Sequence, residues 1–532
     1  MLSGRATIPL EASEVAVSPL AATVTRLVDR IRITAQRQPT SPAIEFEGRT
    51  ISYASLCEAA VNLASGLRRS GFAAGDAIGI LAGNSPDYIQ IYLACQLAGL
   101  VAVPLNYRAV ADDVAYVLGN CSARGVFVGE EYRAIVDEAL PRLPLIQCER
   151  VIVLGSLTYR RLVEDSANHD LTPVPPLAPA TIFYTSGTTG FPKGAMMSHL
   201  NILTRLASWS REFGIDSADV VLVPGPVFHM SFSSIALITL AAGGRVVLMR
   251  DFDARLALDA MQRCGVTWSF LVPKMIAMLL EALAEGGPRT GGWSLRGLLS
   301  SGSPLPKPVL DTLVREFPRV RINDAYGWTE TGWVSLCQHE DLMRGMRSVG
   351  RAAFGCELAV LDREGRELPA GEIGEIYAAN PVTFLGYYGN PAASAAIRHG
   401  KWETGGDMGY LDEEGFLHLV DRKNDMIISG GENIYPAEIE RVLVLHPKIF
   451  EVTVVGVPDE KWGEAPRACV VLHPGESAAA EDIIGFCDGK LARYKLPRSV
   501  EFVDVLPRNA MGKVLRRELR DRYWQGRQLR VR

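Results

Sequence analysis

The sequence predicts an α/β protein, with a large amino-terminal domain of doubly wound sheets plus an antiparallel β region, then a small α+β domain beyond a hinge. Three observations lead there. Apolar strands alternate with helices from about residue 24 to 171 and again from 180 to 420, the pattern of parallel sheets covered by helices on both faces. A charged run, Asp421-Arg422-Lys423-Asn424-Asp425, then interrupts the alternation. Beyond it lies a self-contained strand and helix pattern over residues 422–532, long enough for a small domain.

In chain order, Ala43–Phe46 and Thr50–Tyr53 flank Glu47-Gly48-Arg49, a hairpin signal. Ser55–Ser70 has helical apolar spacing and should stop at Gly71, which suits a left-handed cap. A strand over Ala77–Leu81, a helix over Asp87–Leu97 and a strand over Val101–Pro104 follow. Further strands are expected at Val220–Val223, Gly244–Leu248, Trp268–Val272 and Arg319–Ile322, and antiparallel ones at Glu357–Leu361 and Glu372–Ala378. The strand Phe416–Val420 leads into the charged run. After it come a helix at Pro436–His446, strands at Glu451–Val457 and Ala468–Leu472, a helix at Ala480–Leu491, a strand at Val500–Val505 and a basic helix at Val514–Trp524. There is no internal repeat and no Pro/Gly-rich spacer, so the hinge should be tight. The division drawn is 1–23 as an amino-terminal extension, 24–421 as the large domain and 422–532 as a mobile carboxy-terminal domain.

Composition narrows the function classes. The chain has 532 residues, 48% hydrophobic and 22% charged, with a net charge of −5, which argues against the basic stripe of a nucleic-acid binder. Nine cysteines include no C-x-x-C pair and the eight histidines no H-x-x-x-H spacing, so reduced thiols and no structural zinc are expected. The first residues lack a basic start followed by an apolar run, and no stretch approaches ~20 apolar residues. A cytoplasmic protein with no membrane span is the expectation. A homodimer is one assembly considered; the sequence leaves oligomeric state open.

The strongest motif follows the buried strand Thr181-Ile182-Phe183-Tyr184. It reads Thr185-Ser186-Gly187-Thr188-Thr189-Gly190-Phe191-Pro192-Lys193-Gly194. Glycines let backbone N–H groups converge on an anion, the hydroxyls add donors and Lys193 adds charge. It is not a Walker A loop, because the G-x-x-x-x-G-K-[ST] spacing is absent. The bland alternative is an ordinary Ser/Thr/Gly loop. The segment resembles the signature of the adenylate-forming superfamily of AMP-binding enzymes, which includes acyl-CoA synthetases and aryl-CoA ligases, amino-acid-activating domains and luciferases. The resemblance runs from about residue 24 to 518 and implies a barrel-like form for the antiparallel region.

Other motifs fall in that family's order. Asp324-Ala325-Tyr326-Gly327-Trp328-Thr329-Glu330 resembles its Y-G-x-T-E element. Tyr326 offers a face for adenine, worth about 1–3 kcal/mol in stacking, and Asp324 an acceptor for the adenine amino group. The resemblance implies Thr329 near the α-phosphate and Glu330 as the Mg²⁺ ligand, a hard oxygen donor for a hard cation. Gly302-Ser303-Pro304 would wall the adenine on its other side, and Asp407 and Arg422 would reach the ribose. Lys513 matches the catalytic lysine, whose ammonium would offset repulsion between carboxylate and α-phosphate. Ser429-Gly430-Gly431 resembles the turn that admits the pantetheine arm of coenzyme A, and Trp462 the tryptophan beside it. His229, in Pro226-Val227-Phe228-His229-Met230, takes the place of an aromatic gate. No general base is needed, since the substrate carboxylate is already ionised at neutral pH.

Three positions depart from the family's pattern. Phe232 replaces a glycine after the gate, Gly405 replaces a threonine with Thr404 one place early, and Asn424 stands where the hinge residue is usually Asp or Lys. The implied activity is ATP-dependent activation of a small-molecule carboxylic acid to acyl-AMP, with pyrophosphate release, then transfer to coenzyme A. A carrier-protein thiol as acceptor, or a luciferase-like oxygenase, are the alternatives. An amino-acid-activating module is disfavoured, because an aspartate would stand at His229. The acyl pocket is assigned to Val227, Met230, Phe232, Val272, Trp328 and Trp333. Trp328 should shorten it, favouring an aromatic or short-to-medium acid over a long one.

Overall fold

The computed structural model describes residues 24–146, 150–164, 171, 173–185, 192–287, 293–346, 348–380, 383–423, 425–429, 432–508 and 514–525. The chain forms two compact units. The first takes in Met1–Met346, Ala352–Glu357 and Ala379–Arg398; the second takes in Arg347–Arg351, Leu358–Ala378 and His399–Arg532.

In the first unit one sheet runs in the order Gly386–Tyr387, Lys193–Ser198, Pro179–Thr185, Val101–Pro104, Ala77–Leu81, Gly125–Val128, Val151–Val153. Its inner strands pair in parallel. Ala77–Leu81, Val101–Pro104 and Gly125–Val128 are buried at every position, as strands covered on both faces must be. The second sheet runs Gly332–Cys337, Arg321–Trp328, Gly297–Ser301, Trp268–Leu271, Val220–Val223, Arg245–Leu248, Pro42–Phe46, Arg49–Ser52. Its core is again parallel, with an antiparallel hairpin at each side.

Two helices of this unit have no polar face. Pro86–Ala98 is buried from Tyr88 onward, and Met230–Ala242 buries nearly every residue to Leu240. A helix apolar all round needs protein on every side. Helix Tyr53–Arg69 packs on Pro86–Ala98, and its Tyr53 hydroxyl donates to the carbonyls of Leu240 (3.0 Å) and Gly244 (2.7 Å).

Several boundaries move. Tyr53, expected at the end of a strand, opens the helix instead, because Ser52 caps it by accepting from the Ser55 N–H. The Glu47-Gly48 turn has φ of 49° and 75°, the two left-handed residues of a tight hairpin. The strand expected at Arg319–Ile322 is Arg321–Trp328, extended by antiparallel pairing with Gly332–Cys337. Helix Ala480–Gly485 is shorter than the expected Ala480–Leu491, since Gly485 and the left-handed Gly489 (φ 70°) favour a stop.

The second unit contains the antiparallel β region. Gly374–Ala379 pairs with Trp402–Leu411, which pairs with Leu417–Arg422. Its last sheet has Gly463–Leu472 between Ile427–Ser429 and Ile449–Asp459, with Ser499–Phe502 joined in parallel. Helices Pro436–Leu443 and Ala480–Gly485 cover it through a compact apolar core that includes Ile427, Ile439, Leu443, Val454, Val470 and Ile483. Among the described residues, no helix is long and apolar enough to cross a membrane.

Candidate active site

Four neighbouring parallel strands of the second sheet end at candidate residues. Val220–Val223 leads to Val227 and His229, Trp268–Leu271 to Val272, Gly297–Ser301 to Gly302-Ser303-Pro304, and Arg321–Trp328 carries Asp324, Ala325, Tyr326 and Gly327. Crevices at the carboxyl ends of such strands are where open α/β sheets bind ligands. The register sets Ser300 beside Asp324 and Ser301 beside Ala325, so residues 24 apart in sequence become neighbours. Gly302 turns at φ +94°, while Ser303 and Pro304 are exposed. At Gly327 the pairing with Gly332–Cys337 bulges, and an added Cβ would meet the Gly332 carbonyl oxygen at 1.9 Å. No side chain fits there.

Asp324 is 9% exposed, and its Oδ1 has no hydrogen-bond partner among the described residues. Burial pushes its carboxyl up to about 7, against the lowering effect of the Ser300 hydroxyl and the Leu305 backbone. A buried acceptor lacking a donor is costly, and it suits the amino group of an adenine. The Tyr326 and Trp328 rings meet edge to face at 5.5 Å, and the Trp328 Nε1 is also buried without a partner.

Thr185 and Lys193, which bracket the glycine and hydroxyl run, are opposite partners in the pairing of Pro179–Thr185 with Lys193–Ser198. Lys193 Nζ lies 5.3 Å from the centroid of the Tyr387 ring, and the Tyr387 hydroxyl donates to Glu330 Oε1 at 2.6 Å. Arg205 holds the neighbouring backbone, donating to the carbonyls of Thr329 (3.3 Å) and Glu330 (3.1 Å). Among the described residues, no group donates to the second Glu330 oxygen, and no cluster of three His, Cys, Asp or Glu side chains could cage a metal. One carboxylate completed by substrate phosphates is the usual setting for Mg²⁺, so this donor set fits that ion.

His229 caps helix Met230–Ala242, its Nδ1 accepting from the Ser231 N–H at 3.4 Å. Burial lowers its imidazole to about 4, so the ring is neutral at pH 7. Val227 and Phe232 are wholly buried. The Phe232 ring lies against Gly225, where a Cβ would meet it at 2.1 Å, and 4.6 Å from Phe270. Trp333 joins the same aromatic cluster through Phe270 and Trp209, and its Nε1 donates to Ser301 Oγ at 3.1 Å. Met230 Sδ meets Arg205 at 3.0 Å. An added Cβ on Gly302 would lie 3.6 Å from Val272.

In the second unit Asp407 and Arg422 stand opposite each other on paired strands, with Nε to Oδ1 at 3.3 Å. Thr404 stabilises the approach to Asp407: its hydroxyl accepts from the Gly406 N–H at 2.9 Å and donates to Glu375 at 3.1 Å. The shifted threonine thus shapes the turn. Ser429 pairs with Glu432 on one side and Gly463 on the other, which brings it next to Trp462. That indole is 39% exposed, with Lys461 Nζ 4.6 Å above its ring. Arg508 and Val514 form an antiparallel bridge. Ser186, Gly187, Thr188, Thr189, Gly190, Asn424, Gly430, Gly431 and Lys513 lie outside the described residues.

Sequence reading missed Tyr387, Arg205 and Asn84. Asn84 is buried, accepts from the Val227 N–H and donates to the carbonyls of Gly225 and Met249, which sets the loop before His229. Arg205 left a trace: it falls on the stripe of Ile202, Leu206, Trp209 and Phe213 that its helix buries, where a charge is out of place. Tyr387 left none.

Comparison with known proteins shows which family and fold this chain shares. A family model described as AMP-binding enzyme matches residues 31–388, and one described as AMP-binding enzyme C-terminal domain matches residues 438–513. The chain is 37% identical over 515 residues to a fatty acid–[acyl-carrier-protein] ligase, ScoC, of Streptomyces coeruleorubidus, covering 94% of this chain and 96% of that protein. It is 35% identical over 484 residues to a 2-succinylbenzoate–CoA ligase of Bacillus mycoides (strain KBAB4), covering 91% and 96%. Among solved structures, the o-succinylbenzoate coenzyme A synthetase MenE of Bacillus subtilis, in complex with ATP and magnesium ion, superposes with a TM-score of 0.82 at 32% identity, over 92% of this chain and 98% of that one.

Proposed function

The chain belongs to the AMP-binding enzyme family, and from that premise we propose that it activates an aromatic or short-to-medium carboxylic acid with ATP and hands the acyl group to coenzyme A. The reaction class is that of an AMP-forming acid–thiol ligase. The observation that carries the assignment of residues is the meeting of Lys193 and Glu330 at Tyr387. Two motifs more than a hundred residues apart thereby serve one triphosphate.

In this reading Asp324 accepts from the adenine amino group and Tyr326 stacks on the ring, with Gly302-Ser303-Pro304 opposite. Asp407 and Arg422 hold the ribose. The loop from Thr185 to Lys193 cradles the phosphates, and Thr329 lies by the α-phosphate. A Mg²⁺ ion held by Glu330 supplies charge neutralisation on the phosphate oxygens. The acid's carboxylate oxygen bonds to the α-phosphorus, the bond to pyrophosphate breaks, and Lys513 offsets the charge as it builds. His229, neutral, separates the acid from the phosphates. In the second step a thiolate adds to the acyl carbonyl and AMP departs. Ser429, Gly430, Gly431 and Trp462 line the arm's approach, after the segment from residue 422 has turned about its hinge.

The acid class rests on filled space: Phe232 and Trp333 lie in a continuous aromatic cluster and Trp328 stands beside Tyr326, which argues against a long acyl chain. A second reading, transfer to a carrier-protein thiol, is favoured by the likeness to ScoC. The cytoplasm is the proposed location, since the eight described cysteines are all free thiols. Pyrophosphate release over a panel of acids, with coenzyme A, with a phosphopantetheinylated carrier protein, and with neither, tests the whole. Release with benzoate-sized acids and thioester formation with coenzyme A are expected. Highest kcat/KM on palmitate-length acids, or thioester only on the carrier, would overturn the corresponding part.

A further inference from the structure

Glu330 is held in two separate ways. Its backbone carbonyl is fixed by Arg205 and its side chain by the Tyr387 hydroxyl, at a length in the range of charge-assisted O–H···O bonds. Tyr387 is itself firmly placed. It is 8% exposed, its N–H donates to Ser394 Oγ at 2.8 Å, and its ring meets Phe384 at 5.2 Å. Its two-residue strand pairs with the strand that begins at Lys193, Tyr387 opposite Ala195 and Gly386 opposite Met196. The next N–H, of Tyr388, donates to the Gly194 carbonyl at 2.8 Å. Gly386 has φ +127°, a conformation side chains rarely adopt, so the approach that delivers the ring depends on glycine.

One side chain therefore touches both charged groups. Its edge orients a carboxylate, and its face receives an ammonium, the favourable side of the ring quadrupole. We propose that Tyr387 is a positioning residue for adenylation: its hydroxyl aims Glu330 at the Mg²⁺ that accompanies ATP, and its ring seats Lys193 against the triphosphate, so that cation and phosphates are bound as one unit. This rests on the ATP reading above and extends it to a residue outside the signature motifs.

Two variants separate the two contacts. Tyr387→Phe keeps the ring and removes the hydroxyl; Tyr387→Leu removes both. The measurement is calorimetric binding of α,β-methylene-ATP to the full-length protein, at Mg²⁺ concentrations from zero to saturating, with melting temperature recorded in parallel. For Tyr387→Phe, the Mg²⁺ concentration giving half-maximal tightening should rise about tenfold, the usual cost of losing an outer partner of a metal ligand. Its affinity without Mg²⁺ should match that of the natural protein. Tyr387→Leu should in addition weaken Mg²⁺-free binding about fivefold. Natural Mg²⁺ dependence in Tyr387→Phe would overturn the proposal, as would a weakening of equal size at every Mg²⁺ concentration, which marks a packing role. If Tyr387→Leu does not fold, the Phe variant alone decides. Absence of analogue binding by the natural protein would instead sink the ATP reading itself.

Discussion

Asp324 in the first unit and Asp421 in the second are equally buried, each 9% exposed, yet they are served differently. Asp421 accepts from the Ala437 and Arg422 N–H groups and pairs with Arg516, which also binds Asp425 and Glu440. Asp324 keeps an oxygen with no donor among the described residues. Burial raises both carboxyls, to about 6 at Asp421, where Arg516 pulls the other way, and to about 7 at Asp324, where no cation does. A satisfied buried carboxylate belongs to the scaffold. An unsatisfied one keeps its desolvation cost until a ligand supplies the donor.

Four substitutions probe that contrast. The largest effect is expected from Lys513→Ala, which removes the ammonium assigned to the chemistry in the proposed reading and does not touch the residues of the Arg516 network. Pyrophosphate release should fall about 10²–10³-fold, while supplied acyl-AMP is still converted to thioester; equal loss of both steps would contradict the division of labour. Next is Gly327→Ala, where the new methyl would overlap the Gly332 carbonyl. The bulge beneath Tyr326 must open, at about 3 kcal/mol, read as a lowered denaturation midpoint together with weakened ATP binding.

Arg516→Met in the second unit leaves Asp421, Asp425 and Glu440 facing one another. Breaking such a network typically costs 3–5 kcal/mol; with the guanidinium 22% exposed, about 2–3 is expected. Hydrogen exchange should show the loss in the Ile449–Asp459 strand, and adding Glu440→Gln should restore part of it. Unchanged exchange would make the network dispensable.

The smallest effect concerns pH. Asp324 has a folded-state pKa above its unfolded value, so the folded protein holds the extra proton between about 4 and 7. Stability from this group is therefore greatest at low pH and declines as pH rises through that window. In the proposed reading the ionised carboxylate is the stronger acceptor for the adenine amino group, so ATP affinity should improve several-fold from pH 6 to pH 8. Asp324→Asn keeps an acceptor oxygen and should flatten the profile in calorimetric titrations; an equal slope in both proteins would remove Asp324 from the adenine site.

Much of the first unit was legible, because its strands are uniformly apolar and its motifs consecutive. Val101–Pro104 and Val220–Val223 agree with the reading to the residue. Helix starts were less legible, since Ser52 as a cap competes with the strand pattern before it. Of the candidate site, the glycine and hydroxyl run at Thr185–Lys193 and the Asp324–Glu330 element could be read from spacing and resemblance. Arg205 was hidden as one cation in an apolar stripe. Tyr387 was hidden altogether, because an isolated tyrosine in a two-residue strand has no period and no partner in sequence.

The amino-acid sequence by itself determined the alternation of strands and helices, the chemistry of each motif and the family, since these depend on residue type at short range. Tertiary structure alone decided that Ser300 adjoins Asp324, that Gly327 lies against Gly332, and that Lys193 and Glu330 share one tyrosine. Those are pairings between distant segments. They arise when strand register and buried helices bring the segments together, and no local pattern encodes them.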